Sequence, residues 1–367
     1  MNIARALPPG SRIRVLIVDD SVVIRRLITH VLSEDPEFEI VGSASDGALA
    51  LQRIPQVQPD VITLDIEMPV LDGLATLRQI RKLYPKIRVI MFSTLTERGA
   101  AASMEALSLG ANDYVTKAAS AGSFDLSMEK LRSDLIPKIK QFFHVEDQRP
   151  ERLSTNGGLQ RTKLPGAIKR PYSRQACSLP KAILIGVSTG GPNALAALMP
   201  MFPKDFELPI LIVQHMPPIF TKLLAERLNT ITHLSVEEAA EGSIVGPGKV
   251  LIAPGNHHMR VCRANDGVVV TELNQDSPEN SCRPAVDVMF RSAAQVYRAS
   301  VIAVVLTGMG NDGVIGASLL QAQGAYIIAQ DEASSVVWGM PRGVIEAGLA
   351  DAVVDLNSVV PEILKQI

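Results

Sequence analysis

The sequence predicts two α/β domains in tandem, each built on a parallel sheet with helices on both faces, joined by a linker. Three observations carry this. Short apolar runs alternate with helix-period segments from Arg14 to about Phe143. The alternation stops between about His144 and Pro180, and it returns from Lys181 onward. Strand–helix alternation predicts parallel strands, and continuous apolar runs mark strands buried on both faces. A length of 367 residues suits two domains.

In the first stretch RVLIVDD, EIVGSAS, DVITLD, RVIMFST and NDYVTK read as five strands, with SVVIRRLITHVLSED and GLATLRQIRKLY among the helices. The middle stretch holds PERLSTNGG, TKLPGAIKRP and YSRQACSLP. Arg, Lys, Pro, Ser and Gly dominate it and no apolar period survives, which suits a solvated linker better than a basic recognition arm. In the last stretch AILIGVS, PILIVQHM, KVLIAPG, SVIAVVLTG and AYIIAQ read as buried strands. NALAALMPMF, FTKLLAERLNT and GASLLQAQG read as helices, and MRVCRAN and GVVVTEL flank Asp266-Gly267 as a small hairpin. The two halves share no sequence repeat. The resulting division is 12–143, 144–180 and 181–367.

A formal net charge of −2 and a pI of about 6.3 leave no electrostatic footprint for nucleic acid. Three cysteines, Cys177, Cys262 and Cys282, are odd in number and irregular in spacing. A disulfide framework is not expected, and a reducing cytoplasm is. The opening MNIARALPPGSR has no apolar h-region, so a signal peptide is not expected. No apolar run approaches the roughly 20 residues that span a bilayer, so a membrane-embedded chain is not expected.

The first domain concentrates acids at strand ends. Asp19 and Asp20 end RVLIVDD and Asp65 ends VITLD. In an open parallel sheet the carboxyl ends of the strands share one edge, where ligands bind. Crowded carboxylates repel unless a cation joins them, and hard oxygens suit Mg²⁺. Lys117 and Ser93 end two further strands on that edge. Acids at strand ends often only solvate loops, but three acids, a hydroxyl and a lysine together point to a pocket for a cation and phosphate.

With the segment LDIEMPVLDG, these residues make 12–143 resemble a two-component receiver domain, a flavodoxin-like five-stranded fold. The resemblance implies that Asp65 accepts a phosphoryl group from a histidine kinase of the chemotaxis type. It implies Mg²⁺ held by Asp19, Asp20, Asp65 and the Glu67 carbonyl. It further implies that Ser93 and Lys117 contact the phosphoryl oxygens and that Tyr114 is the switch aromatic. The family usually has proline after the lysine; here Ala118 follows.

The second domain carries a nucleophile, a base and an acid. Gly186-Val187-Ser188-Thr189-Gly190 fits G-x-S-x-G between a strand and a helix. The helix N-terminus beyond it offers free N–H groups to a developing oxyanion. His215 follows PILIVQ and Asp312 lies in LTGMGNDG, each past a buried strand. A serine hydroxyl needs a base to remove its proton, His supplies it, and Asp orients the imidazole and stabilises its charged form. The order Ser–His–Asp is not the Ser–Asp/Glu–His of an α/β-hydrolase. The bland readings are a glycine turn, a structural histidine and a helix cap.

Two rivals compete. Gly308-Met309-Gly310-Asn311-Asp312-Gly313 fits G-x-G-x-x-G, and Asp331 ends AYIIAQD where a ribose-binding acid would fall. That pattern suggests a dinucleotide-binding oxidoreductase, but the Asp312 carboxylate would face the pyrophosphate. The other rival is a response regulator with a non-enzymatic output domain, against which stands the lack of a helix-turn-helix or basic stripe. His257-His258 has no metal-site spacing, Cys282 shows no activating partner in the sequence, and Arg283 reads as a surface arginine.

The stretches IGVSTGGPNAL, IVQHMPPIFT, VLIAPGNHHM, CRPAVDVMFRSAA, VVLTGMGNDG and DEASSVVWGMPRGVIEAG make 181–367 resemble the catalytic domain of the chemotaxis protein-glutamate methylesterase (CheB) family. The resemblance implies a doubly wound α/β domain with a triad of Ser188, His215 and Asp312. Thr189 and the Met309 backbone N–H would assist at the oxyanion. Methyl-accepting chemotaxis receptors would be the substrate, with glutamine deamidation as a second activity. No metal or organic cofactor is expected for hydrolysis. The resemblance also implies that the unphosphorylated receiver packs over the catalytic cleft.

Overall fold

The computed structural model describes residues 5–8, 10–117, 124–145 and 179–367. Most of the expected linker and Ala118 lie outside the described residues. Along the first domain run β1 (Arg5–Leu7), β2 (Ile13–Val18), α1 (Val22–Ser33), β3 (Phe38–Ala44), α2 (Gly47–Val57), β4 (Val61–Asp65), α3 (Gly73–Leu83), β5 (Arg88–Ser93), α4 (Glu97–Ser108), β6 (Asp113–Thr116), α5 (Phe124–Lys140) and β7 (Phe143–Val145).

The five expected strands form one parallel sheet in the order β3-β2-β4-β5-β6. Its order reverses at β2 and β4, so Asp19, Asp20 and Asp65 meet at the switch point. Helix starts are written locally: Asp46, Asp72 and Thr96 accept N–H bonds from Leu49, Ala75 and Gly99 at the heads of α2, α3 and α4. β1 pairs with β7 in a separate parallel ribbon, which carries ordered chain beyond residues 12–143 on both sides.

The second domain runs β8 (Ala182–Val187), α6 (Gly191–Leu198), β9 (Ile210–Gln214), α7 (Phe220–Asn229), β10 (Ser235–Glu238), β11 (Lys249–Ile252), β12 (His258–Arg263), β13 (Val269–Asn274), α8 (Val286–Tyr297), β14 (Val301–Val305), α9 (Val314–Ala322), β15 (Tyr326–Gln330), α10 (Met340–Glu346), β16 (Ala352–Val354) and α11 (Val359–Leu364). Seven parallel strands form a sheet in the order β10-β11-β9-β8-β14-β15-β16. Every residue of β8, β9 and β14 is buried, as strands covered on both faces must be. The chain winds outward from β8 through β9, then resumes on the other side at β14. The switch point therefore lies between β8 and β14. β12 and β13 form the expected hairpin outside this sheet.

The two domains pack directly. Leu107, Ala111 and Tyr114 of the first share one buried apolar cluster with Leu195, Met216 and Phe220 of the second. The Asn193 amide donates to the Leu107 carbonyl at 2.7 Å. Among the described residues, no helix is long and apolar enough to cross a membrane.

Candidate active site

Ser188 follows β8 in a tight turn. Gly190 sits at φ +82°, a left-handed conformation that suits glycine, and it opens α6. A Cβ on Gly308 would lie 2.7 Å from the Ser188 Cβ, so only glycine lets the loop after β14 approach the serine this closely. The Ser188 N–H donates to the Thr307 carbonyl at 3.0 Å. Gln214, at the end of β9, donates from its amide to the Ser188 carbonyl at 2.9 Å and lies 3.3 Å from the His215 carbonyl. The His215 N–H donates to the Val187 carbonyl at 3.2 Å. Serine and histidine are thus carried on adjoining strand ends tied at the backbone.

His215 and Asp312 form a hydrogen-bonded pair, Nε2 to Oδ2 at 2.8 Å, with Asp312 buried. The carboxylate also accepts the backbone N–H groups of Val286 at 2.6 Å and Asp287 at 3.0 Å. These are the first residues of α8, whose own N-cap, Ala285, offers no side-chain cap. Asp312 therefore does cap a helix, though not the one that follows it in sequence. The Asn280 amide donates to Asp312 Oδ1 at 3.0 Å and to a second buried acid, Asp287, at 3.1 Å.

Burial alone would raise the Asp312 carboxyl, but His215 and the α8 N–H groups outweigh it and hold the carboxyl below its usual range. Burial alone would likewise lower the His215 imidazole. The hydrogen bond to Asp312, with the contribution of Cys282, reverses this and holds the ring above its ordinary value. Asp287 is raised by burial and by the neighbouring Asp312 charge.

The other imidazole nitrogen, Nδ1, faces the Cys282 sulfur at 3.5 Å. The two residues lie 67 positions apart, and nothing in the sequence pairs them. Among the described residues, no hydrogen bond joins the Ser188 hydroxyl to His215. Serine and histidine nonetheless line the same cavity of about 470 Å³, together with Cys282, Asn280, Thr189 and Met309. Among the described residues, neither the Thr189 nor the Met309 backbone N–H donates a hydrogen bond. His257 and His258 serve structure. The His258 ring accepts the Ala285 N–H at 3.2 Å and meets the Ser277 carbonyl at 3.2 Å. His257 Nδ1 lies 3.3 Å from the Gly255 carbonyl. Arg283 staples a loop, reaching Asn256, Gln275 and Asp276. Asp331 is occupied in a turn with Ser334.

The first domain supplies the opposite wall of the cavity. Leu107, Asp113, Tyr114 and Lys138 line it. Tyr114 stacks on Phe220, and the Asp113 carboxylate accepts the Thr189 hydroxyl at 3.0 Å. At the carboxyl edge of that domain's sheet, carboxylate oxygens of Asp19, Asp20 and Asp65 lie within 4.8 Å of one another. Lys117 pairs with Asp19 at 2.9 Å and Asp65 at 2.8 Å. One ammonium against three carboxylates leaves negative charge for a hard divalent cation, so the donor set fits Mg²⁺. Burial pushes the Asp65 carboxyl up to about 6, with Lys117 opposing and the Asp19 charge adding. The Glu67 side chain pairs with Arg98 at 3.6 Å, leaving its carbonyl as the candidate ligand. Ser93 is buried and donates to the Gly99 carbonyl at 2.8 Å.

Comparison with known proteins agrees with both halves. Residues 183–363 match the CheB methylesterase family and residues 15–126 match the response regulator receiver domain. A protein-glutamate methylesterase/protein-glutamine glutaminase of Trichodesmium erythraeum is 48% identical over 97% of this chain and 99% of its own. A protein of the same name from Pyrococcus horikoshii is 40% identical over 98% and 94%. The crystal structure of the Thermotoga maritima CheB methylesterase catalytic domain superimposes with a TM-score of 0.50 and 44% identity, covering 52% of this chain and all of that one. A serine, an imidazole–carboxylate pair and free backbone donors at one switch point, beneath a receiver domain, accord with these likenesses: the chain belongs to the CheB methylesterase family.

Proposed function

We propose that this chain hydrolyses methyl esters of glutamate side chains on chemotaxis receptors, under control of phosphorylation at Asp65. The observation that carries the reading is the His215–Asp312 hydrogen bond, 2.8 Å long, in a cavity shared with Ser188. Ser188 Oγ attacks the ester carbonyl while His215 takes its proton. The tetrahedral oxyanion rests on the Thr189 and Met309 N–H groups. His215 returns the proton to the departing methoxide, methanol leaves, and water attacks the acyl-serine to free the carboxylate. The same steps applied to a glutamine side chain release ammonia. None of these steps calls on a metal or an organic cofactor.

The imidazole presents Nε2 to Asp312, so Nδ1 is the nitrogen that serves the serine. Productive chemistry requires the Ser188 hydroxyl to reach Nδ1, the position next to the Cys282 sulfur. The receiver residues Leu107, Asp113, Tyr114 and Lys138 form one wall of the cavity, on the side from which a receptor helix about 10 Å across would approach in this reading. Opening the interdomain contact admits it.

In the receiver, Mg²⁺ held by Asp19, Asp20, Asp65 and the Glu67 carbonyl would shield the acids during phosphoryl transfer. A chemotaxis-type histidine kinase is the phosphodonor in this reading. Phosphorylation adds about 1.5 to 2 negative charges at Asp65. Ser93 and Lys117 turn to the new oxygens, Tyr114 shifts with β6, and the population moves toward the open arrangement. The division is a receiver over 12–143, a linker over 144–180 and a catalytic domain over 181–367, in a cytoplasmic protein acting on the cytoplasmic part of its receptors. Methanol release from methyl-labelled receptor membranes tests the reading: Ser188→Ala removes it, and full activity in that variant refutes the nucleophile.

A further inference from the structure

We propose that Cys282 is a modification site within the cleft, a thiol that reacts with soft electrophiles using His215 as its base, and that its modification takes His215 out of ester hydrolysis. The second half rests on the proposed role of His215 as the esterase base.

A reactive nucleophile needs a base within hydrogen-bond reach and a third group that orients the base. Cys282, His215 and Asp312 meet that description in one line: Sγ to Nδ1 at 3.5 Å, then Nε2 to Oδ2 at 2.8 Å. Thiol hydrolases use the same order of parts. Meanwhile no described hydrogen bond joins Ser188 to the imidazole. In the closed arrangement the base therefore serves the thiol.

The thiol is also held in place. Asn280 and Ser281 adopt left-handed φ of 51° and 61°, uncommon for residues other than glycine. Glu279 and Cys282 exchange two backbone hydrogen bonds at 3.1 and 2.8 Å. Arg291 grips both Glu279 oxygens, at 2.8 and 2.5 Å. Cys282 is partly exposed and opens on the cavity of about 470 Å³, so a small reagent can reach it. Cys262, on β12, is also partly exposed but has no described imidazole partner, and it serves as an internal control.

The chemistry balances with two classes of reagent. With a haloacetamide the thiol proton passes to Nδ1, sulfur bonds to the methylene carbon, and halide leaves with its electron pair. With hydrogen peroxide the thiol proton passes to Nδ1, the sulfur attacks one oxygen and the O–O bond breaks. Sulfur is oxidised by two electrons to a sulfenic acid, which keeps the hydrogen of the transferred hydroxyl, and the other hydroxyl departs as water carrying the proton from His215. Either product removes the S–H beside Nδ1 and fills the space that the Ser188 hydroxyl must enter.

The test is iodoacetamide treatment of the full chain near neutral pH, with each cysteine followed by peptide mass and methanol release measured in parallel. Cys282 is expected to react about tenfold faster than Cys262, with activity lost in step. His215→Gln is expected to slow Cys282 about tenfold and leave Cys262 unchanged. Whatever the untreated activity of Cys282→Ala, the reagent should not reduce it. Equal rates at the two cysteines, indifference to His215→Gln, or inhibition persisting in Cys282→Ala each overturn the proposal. Labelling is read by mass alone. Fast Cys282 labelling in a chain whose methanol release ignores Ser188 would sink the esterase reading and spare the reactive thiol.

Discussion

The ring of Tyr114 lies flat on the ring of Phe220, with centroids 4.5 Å apart and planes within 4°. One ring belongs to the last strand of the receiver sheet and the other to the helix that follows His215. Lys138 sits 4.9 Å from the Tyr114 ring and donates to its carbonyl at 2.6 Å. The residue expected to respond to phosphorylation is thus itself part of the interdomain contact.

An aromatic pair adds about 0.5–1.5 kcal/mol beyond its buried area, a factor of about two to ten in a population. Tyr114→Leu keeps most of the apolar area and loses the stack. Unphosphorylated Tyr114→Leu should release methanol about two- to tenfold faster than the parent chain. Unchanged or slower release would show that this contact does not restrain the cleft.

Asp312 raises the proton affinity of His215, and the esterase needs that ring neutral. The acid limb of kcat/KM should therefore lie above the usual imidazole pKa of about 6.5. Asp312→Asn removes the charge that favours imidazolium, so burial prevails and the limb of the residual activity moves to lower pH. The rate itself should fall by about 10⁴-fold. A pH–rate profile on both forms checks the sign, and a limb that stays put or moves upward contradicts it.

Asn280 joins two buried acids through one amide. A hydrogen bond to a charged group is worth about 1.5–3 kcal/mol, or about ten- to a hundredfold in rate. Asn280→Ala should lower kcat by that order with little change in KM, because Asp312 loses its fixed orientation rather than its contact with substrate. A loss confined to KM would place Asn280 in substrate binding instead.

In the proposed reading the acid cluster at Asp19, Asp20 and Asp65 uses a cation for phosphoryl transfer and the cleft does not. Chelation with EDTA should stop phosphorylation of Asp65 by a small phosphodonor while basal methanol release continues. Loss of basal release on chelation would mean that the ester chemistry also uses metal.

The parts legible in the sequence were those decided locally. Fully buried strands such as β8, β9 and β14 are continuous apolar runs, and Ser188, His215 and Asp312 each follow one. The edge strands β10 and β16 escaped notice because they are short and half-exposed: SVEE holds one apolar residue, and AVV is only three residues long. The start of α8 was hidden for another reason: its capping carboxylate, Asp312, lies 26 residues from Val286. The contacts of Cys282 with His215 and of Tyr114 with Phe220 depend on tertiary packing across 67 residues for the first pair and on the meeting of two domains for the second. No periodicity announces such partners.

The most direct test of the whole account is the rate at which a serine-reactive phosphonate labels Ser188 in the full chain, before and after phosphorylation of Asp65. A single adduct is expected, on Ser188, formed slowly in the resting chain and faster once Asp65 carries phosphate. An adduct on another residue, or a rate at Ser188 that phosphorylation leaves unchanged, would contradict it.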